Sequence, residues 1–84
     1  MTREEVYKLI DGEREYQNSL PPSRTNGFHK TVGEYLTMLR CYMTQADVAW
    51  TMNAGDDAAL DVIRKIAGIA VHCMEDHGAP ERTK

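Results

Sequence analysis

Apolar residues recur at intervals of three and four along three stretches of the chain, and segments rich in Pro, Gly and polar residues separate them. In the first stretch Val6, Leu9, Ile10 and Tyr16 share a helical face. Thr2-Arg3-Glu4-Glu5 before them reads as a capping box, with Thr2 at the N-cap and Glu5 at N3. The helix is expected to end by about Asn18, because Pro21 and Pro22 follow.

The second stretch opens on another capping box, Thr31-Val32-Gly33-Glu34. Val32, Leu36, Leu39, Met43, Ala46 and Trp50 then run at helical spacing, with Tyr35, Tyr42 and Ala49 widening the stripe. Asn53-Ala54-Gly55-Asp56 reads as a stop and a fresh start. Asp56 or Asp57 is expected to cap a third helix, which Gly78 and Pro80 end.

The third helix is apolar over more than one stripe. Leu60, Ile63, Ala67, Ala70 and Met74 form the first, and Val62, Ile66, Ile69 and Cys73 the second. One stripe can pack on the other two helices. The other, whichever it is, has no partner left in 84 residues, so it is expected to face another copy of the chain. The remaining polar edge holds Asp61, Arg64, Lys65, Gly68, His72 and Glu75. The expected fold class is therefore all-α, a three-helix chain assembling into an oligomeric helical bundle. Residues 1–84 read as one domain, with 19–30 as a long connecting loop and 79–84 as a flexible tail.

Composition narrows the classes. A net charge of −3 argues against sequence-independent nucleic-acid binding. No run of eighteen apolar residues exists, so no membrane span is expected. The opening Thr-Arg-Glu shows no signal peptide, and Cys41 and Cys73 read as reduced thiols, which together point to the cytoplasm.

The order EREYQ (13–17), HKTVGEYLTMLR (29–40), ADVAW (46–50), GDDAAL (55–60) and IAGIAVHCMEDHG (66–78) resembles small phage and bacterial MazG-like proteins, the all-α nucleoside triphosphate pyrophosphohydrolases. The resemblance implies a dimer or tetramer with a nucleotide pocket between subunits. It also implies magnesium held by a Glu-x-x-Glu pair on one helix and a Glu-x-x-Asp pair on the next. Here Cys41, Thr44 and Gln45 stand where the first acids are expected, with Asp47 nearby. On the third helix Asp61 remains, but Val62 and Lys65 occupy the place of the second pair. Glu34 and Asp61 are the residues left as weak metal candidates.

Cations at a lost metal site suit a phosphate directly. Arg64 and Lys65 are therefore candidate phosphate contacts. At the end of the first helix Arg14, Tyr16 and Gln17 adjoin the long loop, where Tyr16 can stack on a base and Gln17 read its edge. Arg24, His29 and Lys30 in that loop can close over an anion. The expected function is non-catalytic capture of a nucleotide, or of a cyclic-nucleotide-type immune signal, by a homo-oligomeric phage protein in the host cytoplasm. It requires no cofactor. Two alternatives stand beside it. One is an active pyrophosphohydrolase using magnesium on Glu34, Asp47, Asp57 and Asp61. The other is a helical protein-interaction module.

Overall fold

Thr2 and Thr31 both cap helices as their sequence patterns dictate. In each box the threonine hydroxyl accepts from the backbone N–H three residues on, and the glutamate there accepts from the threonine N–H. The computed structural model describes residues 1–23 and 27–83, and among these it contains three helices: α1 (Arg3–Ser19), α2 (Val32–Met52) and α3 (Asp57–His77). The fold is all-α, with no strand among the described residues. No described helix is long and apolar enough to cross a membrane.

One boundary and one cap differ from expectation. Helix α1 runs to Ser19, whose hydroxyl bonds the Tyr16 carbonyl at 2.6 Å and extends the last turn by one residue. Asp56 is the N-cap residue of α3, yet it makes no capping bond. Its carboxylate instead accepts from the Trp50 indole N–H at 3.1 Å, tying the end of α2 to the start of α3. The far end of α3 closes as expected. Gly78 adopts φ 85°, a left-handed conformation that favours glycine, and its N–H bonds the Met74 carbonyl.

Helix α3 is the centre of the fold. It packs on both α1 and α2, and those two helices do not meet each other. Helices α2 and α3 form an antiparallel hairpin. Tyr35, near the start of α2, donates to Asp76, near the end of α3, at 2.6 Å. The hairpin core is small: Tyr35, Ala46, Ala59, Val62 and Ile69 are buried. The stripe Val62–Ile66–Ile69–Cys73 is thus the one turned toward the interior, whereas Leu60, Ile63 and Met74 of the other stripe stay exposed.

The polar edge of α3 has an unexpected place: it is the seat of α1. Gly68 is buried there, and a β-carbon on it would stand 2.8 Å from Gln17 Nε2 and 2.9 Å from Glu13 Cγ. Only a residue without a side chain lets α1 approach so closely. Across this contact Arg64 Nε donates to Glu13 at 3.0 Å, and Arg14 donates to Glu75 at 2.9 and 2.8 Å. Glu13 and Arg14 are both buried, so the α1–α3 interface is held by paired charges more than by apolar contact.

Candidate functional site

Because α1 and α2 lie apart on either side of α3, a cleft opens between them. The C-terminal half of α1 walls one side with Glu13, Tyr16, Gln17 and Leu20. Helix α2 supplies Tyr35, Met38 and Tyr42, and α3 supplies Lys65, Ile69 and His72 along the floor. The cleft has a volume of about 190 Å³. A second hollow of about 520 Å³ adjoins it, sharing Leu20 and His72 and reaching Phe28, His29 and Asp76.

The sequence-predicted residues divide into three groups. Tyr16, Gln17 and Lys65 line the cleft together, and His29 lies in the adjoining hollow. Arg14 and Arg64 are in the α1–α3 interface. Arg64 holds Glu13 with Nε and Asp61 with Nη2, the latter at 2.7 Å. Arg14 is committed to Glu75, Gln17 and Asn18. Glu34 serves the α2 capping box and has no place in the cleft. Asp61 pairs with Arg64 and, at 3.4 Å, with Lys65. Arg24 lies outside the described residues.

Lys30 occupies a place of its own. Its ammonium is buried, donates to the Phe28 carbonyl at 3.3 Å and stands 5.5 Å from the Tyr35 ring centroid. Its backbone carbonyl accepts from His77 Nε2 at 2.6 Å, which fastens the end of the connecting loop to the end of α3. Among the described residues its ammonium holds no carboxylate.

The charged groups of the site are tuned by their neighbours. The guanidinium of Arg64 first, then Lys65, holds the Asp61 carboxyl below the usual range. The Arg14 bonds do the same for Glu75, and the Tyr35 hydroxyl does so for Asp76. Burial, reinforced by Asp76, raises the Tyr35 phenol far above its ordinary value. Burial lowers the His72 imidazolium, and the nearby Arg14 charge adds to this. A neutral His72 and a protonated Tyr35 are therefore the forms present near neutrality; the Tyr35 proton is committed to Asp76, which leaves His72 as the neutral hydrogen-bonding group of the cleft.

Sequence reasoning missed Tyr42 as a wall of the cleft. Tyr35 and Tyr42 are seven residues apart and share a helical face; Tyr35 packs in the core as the apolar stripe implied, while the partly exposed Tyr42 ring lines the cleft. Glu13 was also overlooked as the partner of Arg64. Among the described residues no three His, Cys, Asp or Glu side chains converge in a way that could hold a metal ion. Comparison of the chain with family models, curated proteins and solved structures finds no match.

Proposed function

We propose that the chain binds a nucleotide or nucleotide-derived signalling molecule in this cleft without cleaving it. The observation that carries the reading is the pairing of aromatic walls with one available cation. Tyr16 and Tyr42 line the cleft with accessible rings, and Lys65 lines it with only the loose 3.4 Å contact to Asp61. Aromatic rings offer stacking to a base, Gln17 offers amide edges, and Lys65 offers charge to a phosphate. The cleft and its adjoining hollow together fall in the volume range of about 300–1,000 Å³ typical of small-ligand sites.

Glu13, the carboxylate that lines the cleft, is paired with a protein cation. Arg64 bridges Glu13 and Asp61, so Asp61, the acid left on the third helix by the expected hydrolase pattern, is already paired with a protein cation. This favours capture over hydrolysis, and it fits the role of a sponge for a cyclic or adenine-based immune signal, as the MazG-like resemblance with altered acids suggests.

The test is a thermal-shift and calorimetric panel of mono-, di- and triphosphates and cyclic dinucleotides, with and without magnesium, followed by chromatography of the recovered ligand. The expected result is a raised melting temperature and an intact ligand. Saturation at a hundred times Kd adds about 2.7 kcal/mol to stability. Magnesium-dependent release of pyrophosphate would establish the hydrolase instead. A flat response to every nucleotide would leave the protein-interaction module.

A further inference from the structure

Helix α3 lays one strip of side chains along the cleft and the hollow beside it. Lys65, Ile69, His72 and Asp76 follow one another at intervals of four, three and four residues, so they share a single face of the helix. The first three line the cleft, and His72 and Asp76 line the hollow. The two cavities meet at His72.

The ends of this strip are opposite in charge. At one end the Lys65 ammonium has only its 3.4 Å contact with Asp61. At the other, Asp76 is a carboxylate with no cation to match it. Its Oδ2 accepts from the Tyr35 hydroxyl at 2.6 Å and stands 3.7 Å from His72 Nε2, but burial keeps the His72 ring neutral near neutrality. Among the described residues Asp76 Oδ1 accepts no hydrogen bond. Glu13, a carboxylate of the cleft wall, differs because Arg64 meets its charge. Asn18 faces the hollow beside Asp76. Its Oδ1 accepts from Arg14, which leaves its Nδ2 donor for a ligand.

Lys65 and Asp76 lie eleven residues apart, or ~16 Å along the helix, which leaves room for a sugar and a base between their charged ends. A nucleotide held by its phosphate on Lys65 and by its base against Tyr16 and Tyr42 turns the outer edge of that base toward His72, Asn18 and Asp76. A carboxylate there accepts from an amino or ring N–H group and repels an anion. We propose that Asp76 is the specificity-determining residue of the site: it selects a nucleotide whose base edge is uncharged and donates a hydrogen bond, and it rejects one whose base carries an anion. The inference rests on the nucleotide reading above and adds to it the direction in which the ligand lies.

Calorimetric titration of the full chain with two probes tests it. Adenosine 5′-monophosphate offers an amino group at the base edge, and its N6-succinyl derivative places two carboxylates there. The wild type is expected to bind the second at least about tenfold more weakly. Raising the salt concentration is expected to narrow that ratio, which tests the charge without any variant. Asp76→Asn keeps an acceptor for the Tyr35 hydroxyl but removes the charge, and it is expected to bring the ratio of the two Kd values close to one. A purely structural role for Asp76 would weaken both probes alike and leave the ratio unchanged. Equal Kd values in the wild type overturn the proposal, as does an unchanged ratio in Asp76→Asn or a ratio indifferent to salt. If neither probe binds while another nucleotide does, the direction assigned here is wrong and the nucleotide reading stands. If no nucleotide binds, both fall.

Discussion

Arg14 grips Glu75 across 61 residues of sequence with two parallel hydrogen bonds of 2.9 and 2.8 Å. Arg14 is almost fully buried while the Glu75 side chain remains 48% exposed. Removing the two partners therefore has unequal consequences. Glu75→Gln leaves a buried guanidinium without its counter-charge, whereas Arg14→Leu leaves a carboxylate that water can reach. Glu75→Gln is expected to cost about 2 kcal/mol, lowering the melting temperature by about 10 °C. Arg14→Leu is expected to cost less than that. Thermal melts of both variants at one protein concentration check the order, and equal losses would mean that burial does not set the cost.

That ion pair also marks the limit of what could be read in advance. The three helices and both capping boxes were legible because they depend on local spacing and on side chains within one turn. That one apolar stripe of α3 packs inward was legible for the same reason, but which of the two does so, Val62–Ile69, was not. The polar edge of α3 was not. Arg64, Gly68 and Glu75 look the same whether they face water or a second polar helix, and nothing within the helix distinguishes the two. Their partners Glu13 and Arg14 sit on α1 among the charged residues of its second half, beyond the Val6–Leu9–Ile10 stripe that its spacing marks. The cleft was legible in part: Tyr16, Gln17 and Lys65 meet there, but the contribution of Tyr35 and Tyr42 depends on how far α1 stands from α2.

Two glycines should respond in opposite ways to alanine. Gly12 of α1 has open space around the position of a β-carbon, so Gly12→Ala gains helix propensity of up to about 1 kcal/mol. Gly68→Ala gains the same propensity but drives a methyl against Glu13 and Gln17. Gln17 can swing aside, but Glu13 is buried and held by Arg64, so a net loss of about 1–2 kcal/mol is expected. Adding Gln17→Ala to Gly68→Ala should recover only part of that loss. Urea unfolding of the four proteins measures each step, and a stabilised Gly68→Ala would show that α1 is loosely seated.

Acid should destabilise the fold in two stages. His72 has a folded pKa below its ordinary 6.5, lowered by burial and by Arg14. The unfolded chain therefore takes up that proton first, and stability begins to fall as pH drops through 6.5. Glu75 and Asp76 are held below their ordinary 4.5 and 3.8 by Arg14 and Tyr35. Their contribution is complete above those values and is lost as pH falls through the lower folded ones. His72→Gln should abolish the first stage and leave the second. Melting temperature followed from pH 8 to pH 3 shows both, and a curve flat down to the carboxylate range would remove His72 from the account.

Adjacent Arg64 and Lys65 look interchangeable as phosphate contacts, yet their bonds separate them. Arg64 joins Glu13 of α1 to Asp61 of its own helix, so Arg64→Glu sets three carboxylates together in a partly buried interface. It is expected to destabilise the chain by about 2 kcal/mol or more, and any loss of ligand binding would follow from displacement of α1. Lys65 has only its 3.4 Å contact with Asp61, a surface pair of small worth. Lys65→Glu should therefore leave the melting temperature of the free protein within about 2 °C while abolishing the shift produced by a bound nucleotide. Lys65→Arg should keep most of it, because the charge remains at the cleft wall. A Lys65→Glu protein that still shifts fully with ligand would place the phosphate elsewhere, and the buried ammonium of Lys30 would then be the cation to replace.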